Sequence, residues 1–94
     1  MITCTIELYG LSADLAGITE VVLELPGEDA GMQELVSALK KRLPVLDGIV
    51  VKQGENVLAD NQAFNINGRF FSGSDVITVH DDDRIRLLTA AIGG

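Results

Sequence analysis

Two stretches of strict alternation, one near each end of the chain, limit its fold more than any other feature. Ile2, Cys4, Ile6 and Leu8 are interleaved with Thr3, Thr5, Glu7 and Tyr9. A period of two buries one face of a strand and wets the other. Over Arg84–Thr89, Ile85 and Leu87 point one way while Arg84, Arg86 and Leu88 point the other. These two clean strands are expected side by side at the centre of one sheet. Between them a single segment has the helical period: Met32, Leu35, Val36, Leu39 and Leu43 form an apolar stripe opposite Gln33, Glu34, Ser37, Lys40 and Lys41. Asp29 is the expected N-cap. Glu28 and Asp29 suit the positive start of the helix dipole, Lys40, Lys41 and Arg42 its negative end, and Pro44 ends it.

The intervening segments are shorter in pattern. Ile18 to Leu25 is β-branched and aliphatic up to Pro26-Gly27 and predicts a second strand. The connection from Gly10 to Gly17 reads as a mobile loop. Val45 to Gln62 carries only a short strand at Ile49-Val50-Val51 and turns at Gly54-Glu55-Asn56 and Asp60-Asn61. Ala63 to Asn67 is again strand-like, and Asn67-Gly68 is the preferred pair for a type I′ hairpin, with Phe70 and Phe71 on the returning side. Val76, Ile77 and Val79 supply further apolar contacts, and His80 to Asp83 form a polar corner. The order strand, strand, helix, short strands, final strand predicts an α+β domain over 1–94. Its layout is a ubiquitin-like β-grasp, a mixed sheet with one main amphipathic helix packed across it, and 89–94 form a flexible C-terminal tail.

Composition narrows the possible partners. The chain has 94 residues, enough for one core, and aromatics make up only 4% with no tryptophan, so that core must be aliphatic. Seven basic against fourteen acidic residues leave a net charge of −7, which opposes phosphate contacts to nucleic acid or an anionic membrane and favours basic protein surfaces. A single cysteine excludes an internal disulfide, an iron–sulfur cluster and a structural zinc site, and the strand register buries Cys4 as a small core residue. A charged-then-apolar leader is missing, as is an apolar run approaching the length of a membrane span, so a cytoplasmic protein is expected.

The residues best suited to chemistry are the last two. Gly93 and Gly94 present an α-carboxylate on a tip without side chains, and glycine backbone can enter a channel too narrow for other residues. Elsewhere the signals are structural. His80 beside Asp81 has no nucleophile or second ligand near it in sequence, and Asp81, Asp82 and Asp83 lack the spacing of a calcium loop, so a turn explains them and no metal is expected. Phosphate loops, nucleophile elbows and zinc-protease helices are all missing, so the chain is not expected to be an enzyme.

Ile66-Asn67-Gly68-Arg69, the acidic corner Asp81-Asp82-Asp83 leading into Arg84-Ile85-Arg86-Leu87-Leu88, and the terminal Ile92-Gly93-Gly94 together resemble the sulfur-carrier proteins MoaD and ThiS. The likeness is specific from Phe64 to Gly94 and upstream is an order of elements. Two features depart from it. The acidic turn reads Asp81-Asp82-Asp83, without the glycine usual before its aspartate, and Thr89-Ala90-Ala91 stands where many MoaD proteins have a paired proline. The insert from Val45 to Gln62 favours a MoaD-like or longer carrier over a minimal ThiS.

The resemblance implies a mechanism. A carboxylate is a poor electrophile, so an E1-like adenylyltransferase of the MoeB/ThiF type would activate Gly94 with MgATP, and a sulfide or persulfide donor would displace AMP to leave a thiocarboxylate. The acceptor would be a MoaE-like molybdopterin synthase subunit or a thiazole synthase, with ATP used by the partner and no cofactor bound by the carrier. Docking is expected around the last strand, with Phe70, Phe71, Leu88 and Ile92 as apolar contacts and Arg84 and Arg86 as charged ones. Arg84 and Arg86 are otherwise expected solvated or paired with Asp81 to Asp83. Two other uses of the chain stay open: a ubiquitin-like modifier conjugated through Gly94, and a non-covalent interaction domain.

Overall fold

The structure is a computed structural model that describes residues 1–90. Its elements are β1 (Ile2–Leu8), α1 (Leu11–Ala16), β2 (Glu20–Leu25), α2 (Met32–Arg42), β3 (Gln62–Ile66), β4 (Arg69–Phe71) and β5 (Arg84–Thr89), with one 3₁₀ turn at Pro44–Leu46. The five strands form one sheet in the order β2-β1-β5-β3-β4. β1 and β5 lie side by side and parallel at its centre, as their alternation predicts, and the other pairs are antiparallel. Ile85 pairs with Ile6 and Leu87 with Leu8, so the inward rows of the first and last strands meet. They are joined by Phe64 of β3 and covered by Leu35, Val36 and Leu39 of α2, all fully buried. Among the described residues no helix is long and apolar enough to cross a membrane.

Three segments differ from the sequence expectation. The connection after β1 is not a loop but the short helix α1, framed by Gly10 at φ 62° and Gly17 in the left-handed region. Its Leu11, Ala13, Leu15 and Ala16 pack on the core, a stripe too short to reveal a helical period. α2 starts later than expected, with Gly31 rather than Asp29 at its N-cap, and Gly31 N donates to Glu34 Oε1 at 3.2 Å. A carboxylate in the first turn thus satisfies the N-cap N–H and meets the positive end of the helix, while no side chain caps the helix from the N-cap position itself. Ile49-Val50-Val51 is not a strand. Val50, Val51 and Leu58 are nevertheless buried in the core, and single bridges from Val51 to Asp47 and Leu58 fold the insert on itself.

Both turns expected near the C-terminal half form. Asn67 and Gly68 have φ of 54° and 85°, as a type I′ turn requires, and Gly68 N donates to Asn65 Oδ1 at 3.1 Å. In the acidic corner every aspartate is committed to backbone geometry. Thr3 N donates to Asp81 Oδ1, His80 N to Asp83 Oδ2 (each 2.8 Å) and Asp82 N to Thr3 O (2.7 Å). The corner therefore ties the start of β1 to the start of β5. Asp82 holds a φ of 67°, a conformation natural to glycine. Asp82→Gly is expected to stabilise the fold by about 0.5–1 kcal/mol by relieving this strain. A thermal melt should show a gain of a few degrees.

Candidate functional site

Because α2 covers one face of the sheet, the opposite face is open, and its side chains are those at the outward positions of each strand. Cross-strand pairing sets one complete row across it: Glu20, Glu7, Arg86, Asn65 and Phe70. Arg84 lies one row away on β5, opposite Thr5. Glu7 is the hub. Its carboxylate accepts from Tyr9 Oη and Arg84 Nε, both at 2.9 Å, and pairs with Arg86 Nε at 3.5 Å, while Arg84 Nη2 also reaches Glu20 Oε2 at 3.0 Å. The Tyr9 and Arg84 hydrogen bonds hold the Glu7 carboxyl below its ordinary range, and the same bonds raise Tyr9 and Arg84.

Arg84 and Arg86 therefore pair with neighbours in the sheet and not with Asp81 to Asp83. The corner aspartates are turned toward backbone N–H groups, and the register brings Glu7 beside both arginines. Around this network lies a shallow basin of about 280 Å³ lined by Glu7, Asn65, Asn67, Gly68, Arg84 and Arg86. Arg86, about 61% exposed at its side chain and held by one long contact, is the cation most available to a partner.

The two phenylalanines separate. Phe70 stands outward at 64% exposure, whereas Phe71 pairs with Phe64, faces the core side and packs against it, with Arg69 over its ring at 5.7 Å. Phe71 is thus half-buried on the core side and not part of the outer face. Successive residues on a strand point oppositely, so only one of an adjacent pair can dock. Leu88 lies half-buried beside Ala63 on the same outward side as Arg84 and Arg86.

The folded body extends further toward the C-terminus than the tail boundary at Thr89. Thr89 lies in β5 opposite Gln62, its Oγ1 accepts from Gln62 Nε2 at 3.2 Å, and Ala90 N donates to Asn61 O at 2.8 Å. Ile92, Gly93 and Gly94 lie outside the described residues. Sequence reading missed Glu7 as the hub, and Gln62 at the root of the tail. Alternation does put Glu7 on the wet face, but its two arginine partners, Arg84 and Arg86, come from the far end of the sequence. Gln62 sits in a stretch with no readable period, yet it is 1% exposed.

Other polar groups add no second centre. His80 Nδ1 is 3.8 Å from an Asp83 carboxylate already engaged by the His80 backbone, and among the described residues no three His, Cys, Asp or Glu side chains are placed to hold a metal. Cys4 is 1% exposed, and burial, followed by the nearby Asp83 charge, pushes its thiol up from 9.0 to about 11. The folded state thus favours the protonated thiol, so its stabilising effect is present below pH 9.0 and lost as pH rises toward about 11. Denaturant titrations over that range should show falling stability. The fall should be shallower in Cys4→Ala.

No protein-family model and no curated protein matches the chain. Solved structures do. The crystal structure of small archaeal modifier protein 1 from Haloferax volcanii superposes with a TM-score of 0.77 at 22% identity, over 98% of this chain and 99% of that one. Its counterpart from Methanosarcina acetivorans gives 0.73 at 22% identity, over 100% and 98%. A Pyrococcus furiosus protein assigned provisionally as molybdopterin converting factor subunit 1 gives 0.69 at 20%, over 97% and 100%. With the β2-β1-β5-β3-β4 sheet and α2 across one face, the chain has the ubiquitin-like β-grasp fold that these small proteins share.

Proposed function

We propose that the chain is a sulfur carrier of the MoaD type, working in the cytoplasm as the small subunit of a molybdopterin synthase. The observation that carries this reading is the continuity of β5. One strand bears Arg84, Arg86 and Leu88 on the open face, is fastened at Thr89 and Ala90 to β3 and its flank, and leads straight into Ala91-Ile92-Gly93-Gly94. A partner seated on that face, with Phe70 and Arg86 as anchors, meets the root of the tail at Ala90, from which the four residues to Gly94 can span at most about 14 Å. The body acts as a handle that raises the concentration of the tip in the partner's active site.

In this reading an E1-like enzyme of the MoeB/ThiF type binds the body and the Gly94 carboxylate oxygen attacks the α-phosphorus of ATP, releasing pyrophosphate. Hydrosulfide then displaces AMP to give the thiocarboxylate directly, or a persulfide displaces AMP to give an acyl disulfide that a thiol of the donor enzyme cleaves, forming a disulfide and freeing the thiocarboxylate, which a MoaE-like subunit uses as sulfur source. The carrier supplies recognition and the acyl group. Nucleotide and metal belong to the activating enzyme, and no residue of the body takes part in bond making. A ThiS-like role toward a thiazole synthase uses the same steps with another acceptor.

Conjugation to lysines through Gly94 is the second reading, favoured by the likeness to two proteins named as small archaeal modifiers. Intact-mass and peptide mass spectrometry of the protein from its native host separates the two. One oxygen replaced by sulfur at the C-terminus supports the carrier, whereas Gly-Gly remnants on other proteins' lysines support the modifier. Finding neither under conditions that demand the cofactor overturns both in favour of a non-covalent interaction domain.

A further inference from the structure

The inward row of the sheet ends on a polar pair. Between β3 and β5 it runs Ile66–Ile85, Phe64–Leu87 and then Gln62–Thr89, and the first two pairs are buried and apolar, as the face under α2 requires. Gln62 breaks that pattern. It is 1% exposed, its Nε2 donates to Thr89 Oγ1 at 3.2 Å and to Asn61 Oδ1 at 3.4 Å, and among the described residues its Oε1 is buried with no hydrogen-bond partner. A buried acceptor left unmet lowers stability, and an apolar side chain of the same length would carry no such penalty. Stability therefore does not explain this glutamine.

What it holds is the exit of β5. Ala90 N donates to Asn61 O, which makes Asn61 and Ala90 a hydrogen-bonded pair, so by alternation Gln62 and Thr89 are a non-bonded pair whose side chains stand close. Gln62 N is accordingly turned away and donates to Ala59 O at 3.0 Å. The contact of amide with hydroxyl is thus the link between the two residues. On the other flank β1 stops at Leu8, and the last backbone tie there among the described residues is Tyr9 N to Leu87 O at 3.0 Å. Beyond Leu87 the strand is hydrogen-bonded from the β3 side alone.

We propose that Gln62 is a positioning residue for the reactive tip, its bond to the Thr89 hydroxyl fixing the direction in which β5 hands over to residues 91–94. The role rests on the carrier reading, and Gln62 itself makes and breaks no covalent bond. The two faces of the sheet divide the work. Recognition belongs to the open face at Arg86 and Phe70, and aim belongs to the covered face at Gln62, so a partner already seated receives the Gly94 carboxyl in line with its active site.

The test is ATP–pyrophosphate exchange by the cognate adenylating enzyme on full-length Gln62→Met, whose side chain is as long and needs no hydrogen bond. Its melting temperature should be unchanged or a few degrees higher. The carrier concentration giving half the maximal rate should also be unchanged, because the docking face is untouched, while the maximal rate should fall about tenfold or more. Thr89→Ser keeps the hydroxyl and should keep the rate. Gln62→Met combined with Thr89→Val should be no slower than Gln62→Met alone, since both act through one bond. In both Gln62→Met proteins, amide hydrogen exchange at Ala90 should quicken about tenfold while Ile85 and Leu87 keep theirs.

An unchanged maximal rate, unchanged Ala90 exchange, or a melting temperature that falls together with the rate would overturn the proposal. So would a raised half-saturating concentration at an unchanged maximal rate. Normal exchange by Gln62→Met beside lost exchange on deletion of Gly94 rejects this role and leaves the carrier reading standing. Exchange retained without Gly94 overturns the carrier reading itself, and the role of Gln62 with it.

Discussion

Deletion of Gly94 is expected to abolish ATP–pyrophosphate exchange by the cognate adenylating enzyme while leaving the melting temperature of the carrier unchanged. The reason is geometric. Among the described residues, the last backbone group tied to the body is Ala90 N, on Asn61 O, so under the carrier proposal shortening the chain by one residue withdraws the terminal carboxyl by roughly 3.5 Å without removing that contact. A misplacement of even about 1 Å at a reacting centre costs on the order of a hundredfold in rate, and the displaced nucleophile would be several times further away. Gly93→Val should approach the same loss by a different route, since a β-branched side chain must enter a channel sized for glycine. Exchange retained by either variant, or an equal loss of thermal stability, would remove the basis of the carrier reading.

Phe64→Ala is the largest stability change expected. Phe64 is fully buried at the centre of β3, opposite Leu87 on one side and Phe71 on the other, and it is the largest fully buried side chain. Emptying that volume in an otherwise aliphatic core should cost about 3–5 kcal/mol, against a total of about 5–15 kcal/mol for a domain of this size. Urea unfolding should show a lower midpoint with an unchanged slope, and the melting temperature should fall by roughly 12 °C or more. A loss below about 1 kcal/mol would mean that Phe64 does not sit between β5 and the helix layer. Paired with the Gly94 deletion, the two variants separate body from tip: one loses the fold, the other only the reaction.

The parts of the molecule that sequence reveals are those where one physical rule acts alone. Ile2 to Leu8 and Arg84 to Leu88 are governed by burial on one side of a sheet, and both strands and their central pairing follow from that period. Asn67-Gly68 is governed by backbone sterics, and the turn forms with both residues at positive φ. Where two rules compete, the sequence misleads. Gly10 and Gly17 suggest a loop, yet four apolar residues between them earn a helix by packing on the core. Asp29 has the right chemistry for a cap, but Glu34 satisfies Gly31 from inside the helix. Of the site, Arg84, Arg86, Leu88 and Phe70 were legible because alternation exposes them. Glu7 as their organiser and Phe71 on the core side were not, because each depends on which strand lies next to which.

The parallel seating of β1 against β5 couples two segments that lie far apart in the sequence, Thr5 to Leu8 and Arg84 to Leu87. Until Arg84 to Thr89 have left the ribosome, Ile6 and Leu8 lack their lateral neighbours and the core lacks its middle. Release of the chain before β5 is made would thus yield an unfolded product open to degradation. Under the sulfur-carrier proposal, synthesis itself becomes a checkpoint, offering a partner only molecules whose last strand is already in place.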